Sequence, residues 1–221
     1  MRVVLSWSSG KDSAWTLYHL QNSPEIEIIG LLTTLNAKFS RVAMHGVREE
    51  LLDAQAQAAN LPLFKVPLPW PCSNEAYEDI MRTTLAMLKE EHDVTHIAFG
   101  DLFLEDVRQY RIDKMKQTDI EPLFPIWGIP TRELSKKMID QGLSAYLTCV
   151  DPKQLSEEYI GAHYDERFLS SLGDNIDPCG ENGEFHTFVN VGPMFSTDID
   201  VKVGEIVNKD GFYFADLTLA K

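Results

Sequence analysis

The sequence contains no continuous apolar run of about 18 residues, and its first residues do not combine an apolar core with a cleavage site. We therefore expect a cytoplasmic protein without a transmembrane helix or a secretory leader. Cysteine is also scarce: Cys72, Cys149 and Cys179 form no C-x-x-C pair and leave an odd number. This usage favours reduced thiols over disulfides or a catalytic dithiol.

Basic residues are scarce as well. The chain of 221 residues has 20 Lys and Arg against 34 Asp and Glu, which gives a formal net charge of −14. Because affinity for DNA and RNA comes largely from neutralised phosphates, a nucleic acid is an unfavourable partner. The length allows one α/β domain with an appendage, or two small domains.

Two common nucleotide motifs are missing too. No G-x-G-x-x-G occurs, and Leu5 stands where a G-x-x-x-x-G-K-[ST] loop needs its first glycine. Residues 3–13 (VVLSWSSGKDS) instead run from an apolar strand through small residues into a helix. Such a turn brings backbone N–H groups and the positive end of the helix dipole to an anion, so we predict a phosphate cradle. A tight strand-to-helix turn without a ligand is the alternative.

The cradle gives the polar residues of this loop distinct roles. Lys11 supplies a positive charge for a phosphate oxygen, and the serine hydroxyls supply donors. Asp12 would repel phosphate unless a divalent cation lay between them, so we expect Mg²⁺ with Asp12 as its ligand.

The loop resembles S-G-G-x-D-S, the pyrophosphate loop of the N-type ATP pyrophosphatases, which split ATP between the α and β phosphates. The resemblance implies ATP contacts by the loop residues Ser6, Ser8, Ser9, Gly10, Lys11, Asp12 and Ser13. Ser9 replaces the first glycine of the pattern. If that position needs a positive φ, Ser9 carries a strain of roughly 1 kcal/mol; otherwise its hydroxyl is one more donor.

Further ATP contacts are predicted after the second strand. Residues 3–34 read as strand, helix and strand, which predicts a right-handed parallel crossover with ligands beyond the carboxyl ends of the strands. Thr33 and Thr34 end the second strand, where an adenine or ribose could lie, or they are only a polar strand end. Arg41 and His45 follow and could hold triphosphate oxygens, or they are surface residues.

A third group of polar residues follows the compact strand of residues 94–99. Asp101 is a candidate second magnesium ligand or substrate contact. Arg108 and Arg111 lie at i, i+3 on the next predicted helix, which suits a substrate carboxylate or the departing pyrophosphate. Pairing with neighbouring acidic residues is the alternative.

The second candidate motif is residues 177–188 (DPCGENGEFHTF). Its two glycines predict a bent loop that presents Glu181, Glu184, His186 and Thr187 at the start of a strand. Two carboxylates and an imidazole within six residues can coordinate a cation, hold a substrate amine or move a proton. A polar surface loop is the alternative.

The chain is expected to divide near residues 121–128 (EPLFPIWG), which interrupt helical character. We predict an ATP-binding domain over residues 1–125 and a smaller substrate domain over residues 126–221. Residues 199–219 predict a β-hairpin with N-K-D-G as its turn.

Four blocks together resemble one family within the pyrophosphatase group, the diphthine–ammonia ligase or adenine nucleotide α-hydrolase-like family. They are residues 7–13 (WSSGKDS), residues 99–101 (FGD) with Arg108 and Arg111, residues 122–127 (PLFPIW) and residues 180–188 (GENGEFHTF). The resemblance spans most of the chain. It implies a HUP-type α/β fold with a parallel five-stranded sheet flanked by helices, a smaller carboxyl-terminal α+β domain, and two motifs that face each other across a cleft.

The resemblance also implies an activity. The family amidates the carboxylate of diphthine on elongation factor 2 with ammonium and ATP. We predict that the reaction passes through an acyl-adenylate with release of pyrophosphate. We predict catalytic roles for Lys11, Asp12, Glu181, Glu184 and His186, and substrate contacts by Asp101, Arg108, Arg111, Glu181, Glu184, His186 and Thr187. Because relatives also occur in bacteria, which lack diphthamide, the sequence does not identify the acyl substrate. It does not settle whether the protein forms a homodimer either. The alternatives are thiouridylase-like sulfur transfer to RNA and a non-catalytic ATP or AMP sensor.

Overall fold

The computed structural model describes residues 1–38, 41–42 and 46–220. Strands and helices alternate in the first part of the chain. They are β1 (Arg2–Ser6), α1 (Lys11–Gln21), β2 (Glu27–Asn36), β3 (Arg41–Val42), α2 (Glu49–Ala59), β4 (Leu63–Leu68), α3 (Asn74–His92), β5 (His96–Ala98), α4 (Glu105–Met115) and β6 (Glu121–Leu123). The alternation follows from short apolar runs such as Val3–Leu5, which is completely buried in β1.

The first sheet is parallel apart from one short strand. Strands β4, β2, β1, β5 and β6 lie side by side in this order and are parallel, while the two-residue β3 pairs antiparallel with β2. The predicted α/β class with a five-stranded parallel sheet flanked by helices is confirmed, and the arrangement is consistent with a HUP-like fold. The carboxyl ends of β1 and β5, two neighbouring strands, therefore open at the same edge.

The second part forms a smaller antiparallel sheet, as expected for the carboxyl-terminal α+β unit. Its elements are α5 (Thr131–Asp140), β7 (Ser144–Val150), a 3₁₀ turn (Glu157–Tyr159), α6 (Glu166–Ser171), β8 (Phe185–Val191), β9 (Val201–Lys209) and β10 (Phe212–Leu219). The strand order is β8-β7-β10-β9. The predicted hairpin is present, and Asp210 and Gly211 both take the left-handed conformation that a tight hairpin turn requires.

One hydrophobic core joins the two sheets. Trp15 of α1 lies in the same buried cluster as Val3 of β1, Phe185 of β8 and Ala215 of β10. Helix α1 thus packs between the parallel sheet and β8, which fixes the position of the loop before α1 relative to the second sheet. The predicted boundary between residues 125 and 126 falls between β6 and α5 and stays a prediction.

The structure adds two local features. Residues 121–123, expected to interrupt helical character, form the edge strand β6, where Pro122 is tolerated because its missing N–H is not needed. On α3, among the described residues, only Leu85 and Leu88 are buried. In the part of the chain that the structure describes, no helix has both the length and the apolar composition to cross a bilayer.

Candidate functional site

The loop between β1 and α1 contains a left-handed residue at the position of the missing glycine. Ser9 has φ 72°, so the first of the two possibilities for this residue holds, and the residue carries backbone strain. Its side chain is fully buried, and among the described residues its hydroxyl has no hydrogen-bond partner. Ser9 does not line the cavity described below, so its predicted ATP contact stays a prediction.

The side chain of Gln55 holds the β1–α1 loop in place. Gln55 of α2 is buried, accepts from the Trp7 indole N–H at 3.0 Å, and donates to the carbonyls of Ser9 at 3.0 Å and Val189 at 2.7 Å. All polar atoms of its amide therefore have partners. Sequence reasoning missed Gln55, although a polar residue on the apolar side of an alanine-rich helix was a signal for it.

The facing loop, residues 177–184, is organised by a buried carboxylate. The Glu184 oxygens accept from the backbone N–H groups of Asp177 at 2.9 Å and Asn182 at 3.0 Å. Gly180 has φ 67°, and a Cβ there would lie 2.8 Å from the carbonyl oxygen of Phe185, so only glycine fits. Glu184 therefore shapes the loop and does not face the cavity described below.

The two loops touch each other directly. The backbone N–H of Lys11 donates to the Thr187 hydroxyl at 3.0 Å, and the Val189 N–H donates to the Ser9 carbonyl at 3.0 Å. Behind them, the end of β5 approaches so closely that a Cβ at Gly100 would lie 2.9 Å from the carbonyl carbon of Asp12. The expected face-to-face placement of the two motifs is present.

Both loops line one cavity of about 290 Å³. This volume lies near the lower end of the range of small-molecule sites. The predicted site residues that line it are Ser6, Ser8, Gly10, Lys11, Asp12, Ser13, Asp101, Arg111, Glu181, His186 and Thr187. The sequence-based search missed the other side chains that line it, which are Phe99, Leu104, Val107, Cys179 and Phe185. The spacing of Leu104 and Val107 at i, i+3 was a signal for a shared helix face.

Several predicted contacts lie elsewhere. The Arg41 guanidinium donates to the Asp216 carboxylate at 2.8 Å and does not line the cavity. Thr33 is buried and, like Thr34, lies outside the lining. His45 falls outside the described residues. The ATP-binding roles of these four residues stay predictions without support from the geometry.

The two arginines of α4 have different surroundings. Arg111 forms an ion pair with Asp101 at 2.5 and 3.1 Å, and both residues line the cavity. Arg108 does not line it; its guanidinium lies over the rings of Phe124 and Trp127 and 3.7 Å from a Glu105 oxygen. The alternative of pairing with nearby acidic residues therefore describes both arginines as they stand.

The Lys11 ammonium is buried inside the junction of the two loops. Its side chain is 3% exposed and donates to the Asp12 carboxylate at 2.7 and 3.0 Å and to the Cys179 carbonyl. Burial is the largest effect and opposes the positive charge, but the Asp12 carboxylate together with the nearby Cys179 and Glu181 keeps the pKa of Lys11 above its ordinary value. Lys11 is thus charged.

Two titratable side chains in or directly after the loop of residues 177–184, Glu181 and His186, have strongly shifted pKa values. Burial raises the pKa of Glu181 to about 7, against the opposing effect of the Leu102 N–H that donates to its carboxylate at 2.8 Å. Burial and the charge of Lys11 lower the pKa of His186 to about 4, so this imidazole is neutral at pH 7. Glu181 is therefore suited to accept and release a proton near neutral pH.

The side chains that line the cavity fit a Mg²⁺ ion that takes most of its ligands from a substrate. Among the described residues no three metal-ligating side chains come together, so there is no dedicated metal cage. Asp12 lines the cavity, and its carboxylate is one quarter exposed. Mg²⁺ is commonly bound by one or two carboxylates together with substrate phosphates, and Asp12 can supply such a carboxylate.

Comparison with known proteins gives concordant matches for both parts of the chain. Residues 1–118 match a family model described as the diphthamide synthase N-terminal domain, and residues 130–218 match the diphthamide synthase C-terminal domain. A curated diphthine–ammonia ligase from Bos taurus is 26% identical over 238 residues, which cover 97% of this chain and 88% of that protein. The proteins of the same name from Homo sapiens and Danio rerio are 25% and 26% identical over 97% and 94% of this chain, and over 88% and 89% of their own lengths.

Proposed function

Since the chain belongs to the diphthamide synthase family, we propose that it is an ATP-dependent carbon–nitrogen ligase that forms AMP and pyrophosphate. The acyl substrate that we propose is diphthine, as in the names of the relatives, provided that the host makes diphthamide. The observation that carries the proposal is the cavity that the β1–α1 loop and the loop of residues 177–184 both line. It lets a nucleotide and an acceptor meet.

In the proposed first step, an oxygen of the substrate carboxylate attacks the α-phosphorus of ATP. The bond from the α-phosphorus to the bridging oxygen breaks, and pyrophosphate leaves with the electron pair. Negative charge grows on phosphate oxygens, so the Lys11 ammonium, the loop N–H groups and the hydroxyls of Ser8 and Ser13 supply electrostatic stabilisation. When bound at Asp12, Mg²⁺ would add charge neutralisation of the same oxygens.

In the proposed second step, ammonium gives one proton to the Glu181 carboxylate and becomes a nucleophile. The nitrogen lone pair forms the C–N bond to the acyl carbon, and the nitrogen passes a second proton to a phosphate oxygen of the departing AMP. The C–O bond to AMP breaks, and AMP leaves with the electron pair. A carboxylate with a pKa of about 7 matches this task, while neutral His186 and Thr187 orient the acceptor.

Sulfur transfer to RNA is less well supported than ligation. It needs a reactive thiolate, but burial raises the pKa of Cys149 to about 12, and burial also raises the pKa of Cys179. The net charge of −14 opposes RNA binding as well. A passive nucleotide sensor would not need Glu181 in the cavity; it would bind nucleotide without accumulating AMP.

The test is product analysis with α-labelled ATP, Mg²⁺, ammonium and diphthine-bearing elongation factor 2. We expect labelled AMP only when the carboxylate substrate is present; labelled ADP would refute cleavage between the α and β phosphates. Lys11→Met should lower turnover by about 100-fold or more, as expected for a lost charge at a developing oxyanion. Lys65→Met is the matched control, because Lys65 pairs with Glu49 and Asp53 away from the cavity.

We also propose that the protein is cytoplasmic. Whether it forms a homodimer is tested by size-exclusion chromatography with light scattering.

A further inference from the structure

The Lys11 side chain ends in a site that is built for a small cation. The Asp12 carboxylate and the Cys179 carbonyl accept its hydrogen bonds from two directions. The rings of Tyr164 and Phe185 cover it, with centroids 5.8 and 5.5 Å from Nζ. We call this group of two acceptors and two rings the ammonium cage.

The cage walls are held independently of Lys11. The Tyr164 hydroxyl donates to the Pro178 carbonyl at 2.9 Å, which fixes both the ring and the chain segment before Cys179. Tyr164 and Phe185 are buried, and they pack on each other with centroids 6.1 Å apart. Removal of the lysine side chain would therefore leave a preformed hole lined by oxygen acceptors and aromatic faces, the chemistry that binds ammonium cations.

The position of Nζ conflicts with the role proposed for Lys11 in ATP cleavage. All three N–H donors of an ammonium are accounted for by two Asp12 oxygens and the Cys179 carbonyl, so none is directed at a phosphate. To stabilise the α-phosphate, Nζ must leave the cage. Because Lys11, Cys179 and Glu181 line the same cavity, the cage would then open next to the proposed base.

The geometry points to the ammonium cage as the binding site of the substrate NH₄⁺, which enters when Lys11 moves its own ammonium to the nucleotide. This inference rests on the proposed function for the identity of the nitrogen donor. The arrangement makes ammonium binding follow ATP binding, since the lysine blocks the cage until phosphate attracts it. It also brings the substrate nitrogen near Glu181.

The test is chemical rescue of Lys11→Ala, measured as the melting temperature without ATP or carboxylate. The variant leaves Asp12 and the Cys179 carbonyl without their partner, so it should melt several degrees below wild type. Ammonium or methylammonium chloride at about 0.1 M should restore half or more of the loss, with a saturating concentration dependence. Sodium and tetramethylammonium chloride at equal ionic strength should not, because neither ion combines N–H donors with the small size.

Lys65→Ala is the matched control, since its ion pairs lie on the surface and ammonium should stabilise it no better than sodium does. Equal effects of all salts on Lys11→Ala, or a variant as stable as wild type, would overturn the inference. If the variant does not fold, wild type is melted with a non-hydrolysable ATP analogue and Mg²⁺. Ammonium should then stabilise it more than sodium only when the analogue is present, and equal stabilisation would overturn the inference.

The rescue assay contains no substrate, so it separates the two proposals. Rescue by ammonium without AMP formation would support the ammonium cage and refute the ligase activity. AMP formation without rescue would support the ligase activity and refute the ammonium cage.

Discussion

Replacing Ser9 by glycine should make the protein more stable, although it alters the phosphate loop. Ser9 combines a left-handed backbone with a buried hydroxyl that has no partner in the described structure. Glycine at such a position keeps a net advantage of about 0.5–1 kcal/mol after the greater freedom of its unfolded chain is counted. Loss of an unsatisfied buried hydroxyl adds about 1 kcal/mol or more.

The expected gain for Ser9→Gly is therefore about 2 kcal/mol, which corresponds to a rise in melting temperature of about 4–8 °C for a chain of this length. Urea denaturation and calorimetry measure both quantities. Ser9→Ala removes the hydroxyl but keeps the strain, so its gain should be about 1 kcal/mol. The Ser9 carbonyl keeps its contacts with Gln55 and Val189 in both variants.

Ser13→Ala, in the first turn of α1, is the control. Its hydroxyl donates to the Gly10 carbonyl at 3.0 Å, so removal should cost about 1 kcal/mol. The reasoning would be refuted if Ser9→Gly destabilised the protein, or if Ser9→Ala stabilised it as much as Ser9→Gly does.

Four further predictions concern charges and thiols. Asp216→Asn should lower the free energy of unfolding at neutral pH by about 1–2 kcal/mol. Hydrogen bonds from Arg48 are the largest cause that lowers the pKa of Asp216 to about 2, and the partial exposure of Arg48 to solvent reduces the energy that this shift represents. In urea denaturation the difference from wild type should shrink as the pH falls from about 4 and vanish below about 2, where the carboxylate is protonated in the folded state as well. Glu184→Gln should lower stability by about 1–3 kcal/mol and raise KM for the acceptor, because an amide NH₂ would face backbone N–H donors; unchanged melting and KM would contradict this. Turnover with ammonium should rise with pH and reach half of its maximum near pH 7, where Glu181 loses its proton. Glu181→Gln should abolish this dependence. The variant should retain turnover with hydroxylamine, which is a neutral nucleophile near pH 8. Cys149→Ala should leave turnover unchanged, whereas loss of turnover would favour sulfur transfer.

Local signals in the sequence were sufficient for most of the fold. Apolar runs and the Asp210-Gly211 turn each depend on near neighbours, and the corresponding elements are present. Strand β6 was not predicted, because a three-residue edge strand is defined by its partner β5 and not by its own composition.

The candidate site was harder to predict where long-range packing decides. The facing of the two loops followed from the family resemblance, whereas Gln55 and Tyr164 act through partners more than ten residues away in sequence. Burial of Glu184 turned an apparent cavity residue into a support for the loop. The pairing of Arg41 with Asp216 likewise depends on a contact between the two sheets, which sequence spacing cannot indicate.

The most direct test of the central claim follows an oxygen atom from the acceptor. A substrate carboxylate labelled with oxygen-18 is incubated with ATP, Mg²⁺, ammonium and the protein, and the products are analysed by mass spectrometry. If the carboxylate attacks the α-phosphorus across the cavity, AMP gains one labelled oxygen and the amide keeps the other. Label in phosphate or pyrophosphate, or AMP without label, would contradict the account.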